Sequence, residues 1–148
     1  MNSKTKEDFS VGVIVFHKKS EKIEYLILKH KQGHWTFSKG HPETGEKKSD
    51  TALRELHEET GITDLELVHD ETLLKENYEF RNKKEKLVIK SVDYFMAEAK
   101  DKNVRIDGKE ILDYKWCSFQ SALNTITFNE SKNLLRKANK IVLNINAS

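Results

Sequence analysis

The chain has 148 residues, 34% charged and 36% hydrophobic, a balance that suits one soluble domain spanning 1–148 with a sizeable core. Its formal net charge of +2 names no polyanionic partner. The single cysteine, Cys117, excludes an internal disulfide and argues against a cysteine-built zinc site, and no apolar run reaches the ~18 residues that a membrane span needs.

The start, Met1–Asp8, is polar and has no signal-peptide core, so a cytoplasmic location is expected. Val11–His17 and Tyr25–His30 are short and rich in Val, Ile and Leu. With the polar turn Lys18–Glu24 between them they predict a strand pair. Lys31–Lys48 carries Gly33, Gly40, Gly45 and the only proline, Pro42, and predicts an irregular loop. Ser49–Thr60 predicts a helix, with Ser49 or Asp50 as N-cap and Gly61 as a left-handed C-terminal cap. Strands are expected at Leu65–His69, Glu71–Phe80 and Leu87–Ala99, the last two joined by a turn at Asn82–Lys84. A short strand follows near Tyr114–Cys117. Leu134, Leu135, Ala138, Ile141 and Val142 recur at helical spacing, so Glu130–Asn144 predicts a terminal helix. The class is mixed α/β. The basic stretch Arg81–Lys90 reads as a solvated hairpin tip or as a patch for a polyphosphate chain.

Chemistry concentrates at Gly40–Ile62. On a helix, residues three and four apart share a face, so Glu55, Glu58 and Glu59 form an acidic cluster, with Ala52, Leu53 and Leu56 turned toward a sheet. Close like charges cost a few tenths of a kcal/mol per pair, a cost that brings a structural helix no benefit. Hard divalent cations require carboxylates that converge in this way. A solvated acidic face would explain a lone Glu-Glu pair. It leaves unexplained the glycine-bearing loop with a further acid, Glu46, that precedes the cluster. Arg54, four residues before Glu58, can orient a carboxylate.

These residues fit G-x5-E-x7-R-E-U-x-E-E-x-G-U (U aliphatic) at every specified position from Gly40 to Ile62, and so the chain resembles the Nudix hydrolases. The resemblance implies an α/β/α sandwich with a mixed sheet and hydrolysis of a phosphoanhydride, with Mg2+ or Mn2+ as cofactor. It implies Glu55 and Glu59 as metal ligands, Glu58 as ligand or base, Glu46 as accessory acid, Arg54 as orienting residue and Gly40 as part of the metal site. Flanking stretches are similar to the branch that cleaves dinucleoside tetraphosphates asymmetrically. They are His34-Trp-Thr-Phe-Ser-Lys-Gly-His41, Glu76–Phe80, Lys90, Tyr94–Glu98, Glu110–Trp116 and Phe128. Ser38 departs from that branch, which carries proline there. The match implies His34, Lys39 and Lys90 as phosphate-binding residues and Tyr78 and Phe128 as an adenine clamp. Glu110 becomes a fourth acid beside the metals, an alternative base to Glu58. The bland readings are core aromatics for Tyr78 and Phe128, solvated lysines, core or pocket wall for Trp35 and Trp116, and structural roles for Cys117 and His57. The expected partner is a small nucleotide, with no membrane, and the chain acts as a monomer. Two alternatives are removal of pyrophosphate from an RNA 5′ end and a catalytically silent nucleotide-sensing module.

Overall fold

A computed structural model of the chain describes residues 5–147; residues 1–4, within the polar start, and residue 148 lie outside it. The chain runs β1 (Thr5–Lys19), β2 (Lys22–His30), β3 (Trp35–Thr36), β4 (Ser38–Gly40), α1 (Lys48–Thr60), β5 (Leu65–Leu67), β6 (Leu74–Arg81), β7 (Leu87–Ala99), β8 (Ile111–Cys117), α2 (Phe119–Thr125) and α3 (Asn129–Ala147). The strands form one mixed sheet in which β1 lies between β2 and β7. β1 pairs parallel with β7 from Thr5↔Leu87 to Phe16↔Glu98, while its pairings with β2 and β4 are antiparallel.

Side chains of a strand alternate between its faces, and β1 uses both. Val11, Val13 and Val15 face one layer, where Ala52 and Leu56 of α1 pack with Phe95 and Ala97. Ile14 and Phe16 face the other, with Val92, Tyr94 and Met96 against Ala122 of α2 and Leu134, Leu135 and Ala138 of α3. An unbroken apolar run such as Val-Gly-Val-Ile-Val-Phe is what a strand covered on both faces requires. Each of the buried Val, Leu, Ile, Phe and Met side chains among these contributes about 1.5–3 kcal/mol. The result is the expected α/β/α sandwich.

Several boundaries differ from those the sequence predicts. The first hairpin is tighter, with Lys18↔Ile23 and Lys19↔Lys22 still paired and Ser20 in the left-handed region at φ 56°. The predicted irregular loop contains β3 and β4, because main-chain pairing to β2 and β1 holds both segments extended, and β4 has little strand character of its own. Helix α1 is capped by Lys47 with no side-chain bond, so neither Ser49 nor Asp50 is the cap. Gly61 does close it at φ 74°, its N–H donating to His57 O. Helix α2 escapes the periodicity reading because it is a short helix in which only Ala122 is buried. Its signal is Ser118, whose hydroxyl accepts from Ser121 N at 3.2 Å.

Candidate active site

Strand β4 places Gly40 opposite Val11 and directly against α1, where a Cβ would collide with the Glu55 carboxyl group. This close approach is the physical need for glycine there. After the loop, Arg54 gathers the acids. Its Nε and Nη2 donate to Glu46 Oε2 and Oε1 at 2.8 and 3.1 Å, and Nη1 donates to Glu55 Oε1 at 3.0 Å and Glu58 Oε1 at 3.3 Å. Nη2 also donates to the carbonyl of His41 at 3.0 Å, which ties the loop to the helix. Glu46 accepts further from Glu43 N and Thr51 Oγ1, and these donors, Arg54 foremost, hold its carboxyl down at about 2.

The three helix acids do not share one environment. Glu58 is exposed, Glu55 is half-buried, and Glu59 turns inward beside Leu56 and Thr60. Burial pushes Glu59 up to about 8, with the negative charges of Glu55, Asp107 and Glu110 adding to it. Burial also raises Glu55. Glu59 Oε1 and Ser38 Oγ are buried and meet no partner at full hydrogen-bond geometry, although Ser38 is close enough to hold the Glu59 pKa back from rising further. An orphaned carboxylate oxygen is costly unless a ligand completes it. Among the described residues no three acids, imidazoles or thiols are gathered into a ready cation cage. The donor set is nonetheless hard oxygen throughout, with one oxygen unsatisfied, and it fits a hard divalent cation.

Alternation along β4 sends Lys39, the neighbour of Gly40, toward the other layer. Lys39 Nζ donates to Tyr78 Oη at 3.2 Å and lies 5.6 Å from the centre of that ring. Burial lowers the Lys39 pKa, partly offset by Glu76, Asp8 and Glu59. Lys90 pairs with Tyr78 across β6 and β7 and with Asp8 across β1 and β7. It is buried, and its Nζ donates to Asp8 Oδ2 at 2.9 Å and Ser10 Oγ at 2.6 Å, so it is no solvated lysine. Asp8 also accepts from His41 at 2.8 Å.

His34 lies between two rings, stacked on His30 at 5.0 Å and tilted to Phe128 at 5.5 Å. Burial and then Lys39 lower its pKa, so it presents a neutral imidazole rather than a cation. Two bonds between Trp35 and Thr127 fix the approach to Phe128: Trp35 N donates to Thr127 Oγ1 at 2.8 Å and Thr127 N to Trp35 O at 3.1 Å. Phe128 is 51% exposed and Tyr78 half-buried, so neither is a core aromatic. Glu110 accepts from Lys31 Nζ at 3.1 Å and is exposed, while its charge reaches Glu59. Cys117 is buried, Trp35 and Trp116 pack at the edges of the two cores, and His57 is exposed.

The sequence reading missed Asp8, Ser10 and Glu76. Glu76 Oε2 accepts from Ser131 Oγ at 2.8 Å beneath Tyr78, and Ser131 accepts in turn from Thr36 at 3.3 Å. No local spacing marks them, because their partners lie 33 to 82 residues away.

Fold and site together define a class of domain: an α/β/α sandwich that sets an acid- and arginine-bearing loop and helix beside a face carrying lysines and aromatic rings. Residues 6–138 match the NUDIX domain, and the chain belongs to the Nudix family. A Mus musculus protein named bis(5′-nucleosyl)-tetraphosphatase [asymmetrical] is 36% identical over 141 residues, which cover 88% of this chain and 92% of that protein. The Caenorhabditis elegans protein of the same name is 32% identical over 131 residues, covering 86% and 91%. The crystal structure of a C. elegans Ap4A hydrolase binary complex superposes with a TM-score of 0.78 at 30% identity, covering 93% of this chain and 98% of that one.

Proposed function

We propose that the chain hydrolyses dinucleoside polyphosphates, with diadenosine tetraphosphate as its substrate and ATP and AMP as products. The observation that carries the reading is the double duty of β4. Gly40 packs on the acid helix while Lys39, next to it, reaches Tyr78, so the cation-binding and phosphate-binding groups adjoin. The similarity to two proteins named as asymmetric tetraphosphatases supports it.

Glu55 and Glu59, with Glu46 and Glu110 nearby and the Gly40 backbone beside them, would hold Mg2+ or Mn2+. Such an ion, when bound, lowers the pKa of a water and neutralises charge on the bridging oxygens. Arg54 fixes Glu46, Glu55 and Glu58 in mutual register, so the acids need no reorganisation as the reaction proceeds. The exposed Glu58 carboxylate takes the proton of the attacking water; Glu110 is the alternative base. Lys39 and Lys90 neutralise the phosphate chain, and phosphate competes with Asp8 for the Lys90 ammonium. His34, a neutral ring, serves as hydrogen-bond donor or stacking wall. Tyr78 and Phe128 take one adenine between them, a contact worth about 1–3 kcal/mol per base. The chain works as a monomer in the cytoplasm; among the described residues no helix is long and apolar enough to cross a membrane.

Hydrolysis of diadenosine tetraphosphate in heavy-oxygen water tests this. The expected products are ATP and AMP, with the label in one of them and no ADP. Inertness toward dinucleotides combined with pyrophosphate release from triphosphorylated RNA would replace the reading with RNA 5′-end processing. Nucleotide binding without turnover of either substrate would make the protein a sensing module.

A further inference from the structure

Phe80 lies one step beyond Tyr78 on the same face of β6. It is 43% exposed, belongs to neither core cluster, and its ring centroid is 6.1 Å from that of Tyr78 with the planes 31° apart. A single exposed aromatic is ordinary. This one continues the surface of a ring whose hydroxyl already accepts from Lys39. Strand register repeats the pattern beneath it. Tyr78 sits in a row with Lys90 and Asp8, and Phe80 sits in the next row with Val88 and Lys6. Each row therefore has an aromatic ring on β6 and a cation within two strands of it. Val88 is buried and Lys6 exposed, so the open part of the second row is the Phe80 ring with a cation two strands away.

We propose that Phe80, with Lys6 beyond it, is a second stacking platform that takes the distal nucleobase of a dinucleoside polyphosphate. This rests on the functional reading above and deepens it, since it concerns the half of the substrate that the Tyr78–Phe128 clamp leaves free. A flexible polyphosphate bridge can fold so that both bases stay near the lysines, and a flat apolar ring accepts any base through its π-face. The platform distinguishes substrates with two bases from those with one. Phe80 thus acts on binding of the intact substrate and touches no reacting atom.

The test compares diadenosine tetraphosphate with adenosine 5′-tetraphosphate, which has the same phosphate chain and a single base. Phe80→Ala is expected to raise KM for the two-base substrate about five- to tenfold while kcat changes less than twofold. KM for the one-base substrate should stay within twofold, and Phe80→Trp should restore the two-base value. Tyr78→Ala raises both values and serves as the control. An unchanged two-base KM in Phe80→Ala, or an equal rise for both substrates, overturns the platform. If the wild-type protein hydrolyses neither compound, the functional reading has failed and the same comparison is made on Kd by titration calorimetry. A loss confined to the two-base ligand then upholds the platform; an equal loss, no loss or no binding of either ligand overturns it.

Discussion

Arg54 holds Glu46 through two parallel hydrogen bonds, Nε to Oε2 at 2.8 Å and Nη2 to Oε1 at 3.1 Å, reaching from α1 back to the loop that precedes it, eight residues earlier. The fork-to-fork geometry fixes direction as well as charge, and lysine cannot reproduce it. Arg54→Lys is therefore expected to lower kcat/KM or the affinity for the divalent ion about 10- to 100-fold, the usual cost of losing an orienting partner. Steady-state kinetics across a Mg2+ titration measure this. Unchanged values would mean that the guanidinium only decorates the surface.

Removing the divalent ion with a chelator should abolish turnover, and Mg2+ or Mn2+ should restore it. Ion binding is expected to release protons at pH 7, because burial holds Glu59 protonated up to about 8. Calorimetry in buffers of different ionisation enthalpy reads that release, and full activity in excess chelator would refute the metal assignment.

Glu58→Gln and Glu59→Gln should each lower turnover by at least about two orders of magnitude. Both variants should remain folded, since Arg54 keeps Glu46 and the buried Glu59 loses a charge-bearing group that has no partner on Oε1. Circular dichroism separates loss of activity from loss of fold.

Tyr78→Ala and Phe128→Ala should raise KM more than they lower kcat, because stacking is the same in ground and transition states. Tyr78→Phe keeps the ring and deletes only the oxygen that accepts from Lys39 Nζ. A smaller effect in that variant assigns the binding to the ring. Unfolding of Tyr78→Ala would return Tyr78 to a structural role.

His30 supplies the pH dependence. Its Nε2 donates to Phe37 O at 3.0 Å in a buried site, and burial first, then the charge that His34 gains in acid and that of Lys39, depress its pKa to about 4. The unfolded chain binds a proton there at about 6.5 while the folded one does not until about 4, so acid favours unfolding. The stability at stake is whole above 6.5 and is lost as pH falls toward 4, at most about 3 kcal/mol. Tm of the wild-type protein should fall more steeply over that interval than Tm of His30→Gln. Parallel curves would remove the assignment.

The sequence by itself determined what short range controls. The spacing of Gly40, Glu46, Arg54, Glu55, Glu58 and Glu59 is written within one loop and one helix, and helical geometry converts it into an acidic turn. The apolar runs of β1 and β7 announced strands, and Gly61 announced the end of α1. Tertiary structure decided what depends on partners distant in the chain. Glu59 became the buried acid because α1 docks on the sheet with that side inward, which the 3.6-residue period alone does not settle among neighbouring glutamates. β3 and β4 became strands by pairing with β2 and β1. The pairing of Lys90 with Asp8 and Ser10 required the parallel register of β1 and β7, strands some 80 residues apart in the chain. A register is set by the whole buried face at once, and no local pattern encodes it.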